Sequence, residues 1–287
     1  MDYACHLRDE WYENRLRAYI RDYPMMWDAM IRELRSDDYD DCLWMAGSTS
    51  YVCSTDGVKW AMDPVLIVPP LFDQLKNQLA GDMGCLDAIF FTHEHGDHYQ
   101  PELVQALISL PVTWVVPACM RDAFAQNGIQ RERILYVNPG DEIALKRLRV
   151  RVLPGLHHYD GGNEGVESVG YYIQTEKKRV LFPGDARDFR PGLLPHIPNL
   201  DAVFSHVYLS RSNGCEYPFS KYLDRFCMFT AEFDTKKVFL THLYGYQCGD
   251  ARLIWTYMNA GAIMDGLLCL KPGLDVTIPM VGKRYTL

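Results

Sequence analysis

The segment FFTHEHGDHYQ, residues 90–100, sets His93, His95, Asp97 and His98 within six positions directly after an apolar run. Each neutral imidazole presents one donor and one acceptor, so three of them beside a carboxylate make a costly piece of ordinary core. As a metal site the spacing makes sense. Separated by one residue, His93 and His95 can approach a single ion from a tight loop, and Asp97 and His98 can turn toward a second. Imidazole and carboxylate donors suit zinc, manganese or iron, so the donor set alone does not choose the metal. Glu94 invites comparison with the zinc motif H-E-x-x-H, but Asp97 stands where the second histidine would be. Glu94 is therefore expected toward solvent or behind the ligands.

Other polar residues fall where they could join this cluster. Asp63 closes WAMDP, His157 follows RVRVLPGL, Asp185 follows RVLFPG and His242 follows KKVFLT. All four, like His93, sit at the ends of apolar or alternating runs that read as strands, and strand ends are rigid supports for catalytic groups. His157 and His158 are adjacent, their side chains diverge, and one of the two is expected at the metal. The other becomes a pocket wall, a substrate contact or exposed filler. His206, in FSHVYLSRS, is either a proton donor or anion contact near the site or a buried, hydrogen-bonded histidine. Arg187 and Arg211 could fork onto a phosphate or carboxylate, and Tyr159 and Tyr208 could line a pocket.

The elements that must position these residues divide the chain in two. Residues 1–41 read as a helical extension. Trp11, Tyr12, Leu16, Tyr19 and Ile20 share a face of one helix that Pro24 should end, and Met25, Trp27, Met30, Ile31 and Leu34 mark a second. These helices either cover the domain or form the interface of a homo-oligomer, which is expected. Residues 42–287 alternate short strands with turns. Asp56-Gly57 between SYVCS and VKWAM predicts a hairpin. LDAIFFTH, TWVVP, RLRVRVLPG, LDAVFSHV and KKVFLTHL read as further strands, and GYYIQTEKKRVLFPGD as another hairpin. Strands mixed with occasional helices predict an α/β fold, with helices covering a mixed two-sheet core.

Composition narrows the function classes. The 287 residues are 48% hydrophobic, which fits a globular chain. The net charge of −8 argues against a general nucleic-acid surface, although bound metal could still attract a small anionic substrate. Nine scattered cysteines without a C-x-x-C pair argue against a disulfide framework and a cysteine zinc ribbon. No apolar run reaches the ~18–20 residues of a membrane span. The charged, aromatic start lacks a signal peptide's apolar core, so a cytoplasmic location is expected.

The run THEHGDH resembles the H-x-H-x-D-H signature of the metallo-β-lactamase superfamily. His157, Asp185 in FPGDARD and His242 in FLTHLYG follow in that family's order, and GVKWAMDPVL is similar to its first motif. The resemblance covers about residues 42–287 and implies an αβ/βα sandwich with two divalent metals, zinc or manganese with iron as the alternative. By the same resemblance His93, His95 and His157 hold one metal; Asp97, His98 and His242 hold the other; and Asp185 bridges them. The ligand stands three residues after a proline, which favours His157 over His158. Asp63 orients a ligand histidine.

The segments DGVKWAMDPVL, SHVYLSRSNG and THLYGYQ resemble the branch that contains ascorbate-6-phosphate lactonase and N-acylphosphatidylethanolamine phospholipase D. That branch implies a hydrolase whose metal-bridging hydroxide opens a small anionic ester or lactone, the leading substrate being a phosphorylated sugar lactone such as L-ascorbate 6-phosphate. Asp97 and His206 are its candidate catalytic groups, with Arg187, Arg211 and His158 as candidate substrate contacts. The alternatives are a phosphodiesterase of phospholipase D or nuclease type on the same site, and an iron-binding redox protein.

Overall fold

The computed structural model describes residues 3–158, 165–209, 220–243 and 257–287. A single helix, α1 (Tyr3–Arg35), opens the chain. The first half then carries β1 (Cys42–Met45), β2 (Tyr51–Thr55), β3 (Val58–Met62), α2 (Pro69–Leu75), α3 (Leu79–Asp82), β4 (Ala88–Phe90), α4 (Pro101–Leu107), β5 (Thr113–Pro117), α5 (Arg121–Ala125) and β6 (Ile134–Val137). The second half carries β7 (Glu142–Leu145), β8 (Leu148–Pro154), β9 (Val169–Gln174), β10 (Arg179–Phe182), β11 (Ala202–His206), α6 (Ser220–Ala231), β12 (Lys237–Thr241), α7 (Tyr257–Leu270) and β13 (Asp275–Thr277). A last strand, β14 (Arg284–Thr286), returns to the first sheet.

Two seven-stranded sheets result, in the orders β14-β1-β2-β3-β4-β5-β6 and β13-β12-β11-β10-β9-β8-β7. In the first, β1–β3 pair antiparallel and β3–β6 parallel. The second repeats the design, antiparallel over β7–β10 and parallel over β10–β13. The expected hairpin is present: Thr55 pairs with Val58 across Asp56 and Gly57, whose φ of 50° and 73° are the left-handed values a tight two-residue turn requires.

Alternation along the strands sorts side chains into three apolar layers. Ala88, Phe90 and Val115 from the first sheet meet Phe182, Phe204 and Phe239 from the second, where Phe182 and Phe204 stack at 4.2 Å. Ile89, Trp114 and Val116 face the other way, under the first-half helices. Val203, Val238 and Leu240 pack on the side of Phe226 and Ile263, from α6 and α7. The layers are thus helix, sheet, sheet, helix, the αβ/βα sandwich with an N-terminal helix.

The break expected at Pro24 does not occur, and α1 continues through it. Proline in a helix interior removes one backbone hydrogen bond. Here Tyr19 and Tyr23 before it, and Trp27, Met30, Ile31 and Leu34 after it, are all buried in the layer that contains Trp44. Tertiary packing on both sides of the proline outweighs the local defect. No described helix is long and apolar enough to cross a membrane.

Candidate metal centre

The polar ends of six strands converge on one edge of the sandwich. His93 and His95 lie just beyond β4, His157 beyond β8, Asp185 beyond β10 and His242 beyond β12, while His206 ends β11 and Asp63 follows β3. The structure gathers seven of the sequence-derived candidates into two groups. His93, His95, His157 and Asp185 offer donor atoms within 4.8 Å of one another, and Asp97, His98 and His242 do the same. The groups adjoin: the His93 and His98 ring centroids are 4.1 Å apart. Asp185 lies between them, with Oδ2 3.0 Å from His157 Nε2 and Oδ1 3.8 Å from His242 Nδ1.

Hydrogen bonds decide which nitrogen each ring turns inward. His98 donates from Nδ1 to Asp63 Oδ2 at 2.8 Å. Thr92 donates its hydroxyl to the same oxygen at 2.6 Å, and its Oγ1 is 3.0 Å from His93 Nδ1, which can therefore donate to it. His242 donates from Nδ1 to Val207 O at 3.0 Å. All three rings thereby keep an Nε2 lone pair for a ligand. Thr92 is a member of this network that sequence reasoning missed; its only signal was its place immediately before His93. Ser50 is another, donating from Oγ to the carbonyl of Asp63. Asp63 and His242 have φ of 44° and 64°, unusual for residues other than glycine, and both backbones are held. The Asp63 N–H donates to Phe90 O, and that of His242 to Ser48 O, each at 2.9 Å.

The residues fit a pair of divalent ions. His93 Nε2, His98 Nε2 and Asp185 Oδ1 are buried and have no hydrogen-bond partner among the described residues. Buried polar atoms without partners are rare, and three converging on one place are what a metal would satisfy. Electrostatics agree. Burial pushes His93 well below the usual imidazole range, helped by His98, so this ring is neutral and ready to ligate. Burial would lower His98 too, but the Asp97 and Asp63 carboxylates override it and push the ring up to about 9. Burial alone would raise Asp185, yet His242, His157 and Arg187 hold its carboxyl well below the ordinary value. In the metal-free protein, protons on the second group supply some of the positive charge these carboxylates demand.

The remaining candidates take distinct places. Asp97 is the most open of the acidic groups, with a side chain 29% exposed and Oδ2 3.3 Å from His242 Nε2. His206 lies outside both groups but stacks on His242 at 5.4 Å, with Nε2 3.2 Å from the Tyr51 hydroxyl. Arg187 pairs with Asp185 at 3.0 Å and lies over the Tyr208 ring at 5.2 Å. His158 diverges from His157 and lines a separate cavity. Arg211 and Tyr159 lie outside the described residues.

Comparison with known proteins agrees with this arrangement. The family model described as the beta-lactamase superfamily domain matches residues 62–242. Among solved structures, the chain is similar to Igni18, a metallo hydrolase from the hyperthermophilic archaeon Ignicoccus hospitalis KIN4/I (17% identity, TM-score 0.59, 86% of this chain and 97% of that one). It is similar to the isothiocyanate hydrolase from Delia radicum gut bacteria (15%, 0.58, 86% and 98%). It also resembles CmlA, a diiron β-hydroxylase from Streptomyces venezuelae (17%, 0.59, 86% of this chain and 54% of that one). At these identities the likeness is one of fold. No curated protein matches. The family match runs from Asp63 through all seven gathered residues to His242, on two sheets ordered as above, and the chain belongs to the metallo-β-lactamase superfamily.

Proposed function

We propose that the protein is a metal-dependent hydrolase of a small ester or lactone. The observation that carries this reading is the pair of adjoining donor groups with Asp185 between them. His93, His95 and His157 would hold one ion, Asp97, His98 and His242 the second, and Asp185 both. Two such ions supply a hydroxide nucleophile near neutral pH and polarise the scissile oxygen.

The chain's own residues do the rest. Asp63 and Thr92 keep His93 and His98 in the ligating tautomer. Asp97, the most open carboxylate, accepts or steers the proton released by the attacking water. Tyr51, donating to His206 Nε2, would leave that ring with its N–H at Nδ1, which we assign to donating a hydrogen bond to the oxyanion at the scissile group.

A phosphorylated sugar lactone such as L-ascorbate 6-phosphate is the first anionic substrate to test. Its phosphate would draw on Arg187, already paired to Asp185, and on Arg211. A diiron oxygenase is the second reading, favoured by the histidine-rich donor set and the resemblance to CmlA.

The test is turnover by metal-stripped protein reloaded with zinc, manganese or iron, on lactones and on phosphodiesters, with His95→Ala as the blank. Lactone opening that depends on zinc or manganese and is lost in His95→Ala is expected. Phosphodiester cleavage alone would replace the substrate class. Visible absorbance with oxygen uptake in the iron form alone would replace the reaction.

A further inference from the structure

Three consecutive residues outside both donor groups are bonded to the segments that carry the second one. Ser48, Thr49 and Ser50 lie in the turn between β1 and β2, and none is more than 1% exposed. The carbonyl of Ser48 accepts the His242 N–H at 2.9 Å. Thr49 donates its hydroxyl to the carbonyl of Asp97. Ser50 donates its hydroxyl to the carbonyl of Asp63 at 2.7 Å, and the Asp63 carboxylate accepts from His98 Nδ1 at 2.8 Å. His242, Asp97 and His98 are the three members of the second group. One turn therefore reaches all of them, two through their own backbones and the third through Asp63.

The attached backbones need holding. Asp63 and His242 have φ of 44° and 64°, a region that residues with a Cβ enter at a cost. The turn that holds them is tied to itself. The Ala46 and Gly47 N–H groups both donate to the carbonyl of Ser50, at 2.8 and 3.2 Å, and the Ser50 hydroxyl accepts the Val65 N–H at 2.9 Å. Hydroxyls buried at Thr49 and Ser50 require partners away from water, and here those partners are the segments of the metal centre.

The first group is held by other bonds. His93 Nδ1 meets the Thr92 hydroxyl, and Asp185 meets His157 and Arg187. Asp63 serves both groups, because it also accepts from Thr92, so Ser50 does not separate them. Thr49 does, since its hydroxyl is bonded to a member of the second group.

We propose that Thr49 is a positioning residue for the second metal ion, and that the turn of residues 48–50 decides whether the centre holds one ion or two. Thr49 fixes the Asp97 backbone so that the carboxylate stays beside His242, where Oδ2 is 3.3 Å from Nε2. The proposal rests on the two-ion assignment made above and is independent of the bond that is cleaved.

Zinc affinity, measured by chelator competition, tests this without turnover. His95→Ala removes a donor of the first group and leaves the second intact, and His242→Ala does the reverse. In the His95→Ala protein, Thr49→Val should weaken zinc by about 10–100-fold, the usual loss when a group that orients a ligand is removed. In the His242→Ala protein the same substitution should leave zinc affinity unchanged. Thr49→Ser keeps the hydroxyl and should restore the affinity that Thr49→Val loses.

A second readout leaves the turn unaltered. An ion that the turn supports must, by reciprocity, support the turn. Zinc should therefore slow hydrogen exchange at the Ala46 and Gly47 amides in the His95→Ala protein and leave it unchanged in the His242→Ala protein. That comparison stands whether or not Thr49→Val folds.

Equal weakening in both backgrounds, or slowed exchange in both, would make the turn a general support of this edge and overturn the proposal. So would unchanged zinc affinity when Thr49→Val is placed in His95→Ala. Loss in Thr49→Ser with none in Thr49→Val would assign the effect to the methyl group and overturn it as well. Wild-type protein that saturates with one zinc would sink the two-ion assignment itself, whereas two zincs with equal losses would sink the role of Thr49 alone.

Discussion

Asp63 Oδ2 accepts a hydrogen bond from His98 Nδ1 at 2.8 Å, and both side chains are wholly buried. The same carboxylate accepts the Thr92 N–H at 2.7 Å and the Thr92 hydroxyl at 2.6 Å, and that hydroxyl meets His93 Nδ1 at 3.0 Å. One carboxylate thus fixes one imidazole in each donor group. Asp63 itself is pushed above the ordinary carboxylate value by burial, which His98 and Thr92 offset only in part, so its charge depends on the partners it orients.

Asp63→Asn should damage both groups at once. An amide has one acceptor oxygen for the three donors now served by two, so an N–H or O–H is left facing an NH₂ group. Misoriented ligand histidines typically lose about 10–100-fold in metal affinity. Chelator competition for zinc measures this directly. Unchanged affinity at both sites would refute an orienting role for Asp63.

Thr92 separates the hydroxyl's contribution from the carboxylate's. Thr92→Val keeps the shape but leaves His93 Nδ1 without its partner, and zinc should weaken at the group of His93, His95 and His157 more than at the other. Thr92→Ser should restore it. Loss in Thr92→Ser with none in Thr92→Val would mean that the methyl group's packing, and not the hydrogen bond, is what matters.

Part of this was legible in the sequence. The cluster of residues 93–98 is local, and the strand ends that carry Asp63, His157, Asp185 and His242 are marked by apolar runs, so the convergence of these residues could be expected before any coordinates. The two-sheet core was legible for a like reason, through short apolar runs separated by turn signals. Three features were not. Thr92 is an ordinary hydroxyl whose role comes from a neighbour 29 residues away, Asp63. Arg187 read as a substrate contact, and the pairing of its guanidinium with Asp185, two residues before it, was not legible. Pro24 carries a strong local signal for a helix break, and only the long-range packing of Tyr23 and Trp27 shows why none forms.

The metal-free protein should depend on pH through His98. This ring is pushed up to about 9 in the folded chain, above the ~6.5 of an unfolded histidine. A raised folded value favours the folded state fully below pH ~6.5, and that contribution disappears as pH climbs through about 9. In metal-stripped protein, the stability gap between wild type and His98→Gln should therefore narrow from pH 6 toward pH 10. Denaturant titrations across that range check the sign, and a gap that widens would show that His98 is neutral when folded.

Metal removal should cost the fold directly. The donor groups are assembled from strands of both sheets, so an ion bound there favours the folded state alone. At a free zinc concentration one hundred times its Kd, each site contributes about 2.7 kcal/mol. Chelation should lower the melting temperature by about 5 °C or more. A melting curve that chelator does not move, in protein shown to lose its zinc, would mean that the site is held rigid without the ion.

The N-terminal helix offers a test far from the metals. Tyr23, 1% exposed, donates its hydroxyl to Ala46 O at 2.6 Å, and its ring meets those of Tyr19 and Trp27. Tyr23→Phe keeps the ring and leaves the Ala46 carbonyl buried without that donor, a loss of about 1–3 kcal/mol. Removing residues 1–41 is a much larger change, because it strips Tyr19, Tyr23, Trp27, Met30, Ile31 and Leu34 from a layer they share with Trp44 and Leu71. The truncated chain should be insoluble or bind a hydrophobic dye strongly, whereas Tyr23→Phe should fold and bind zinc normally at a reduced melting temperature. A truncated chain that is soluble and fully stable would show that the helix is an appendage rather than a wall of the core. Ala46 directly follows β1, and Ser50, four positions on, donates to the Asp63 carbonyl. The same Tyr23→Phe protein therefore tests whether loosening this wall reaches the metal centre: unaltered zinc affinity is expected, since Ser50 holds Asp63 through bonds that Tyr23 does not touch.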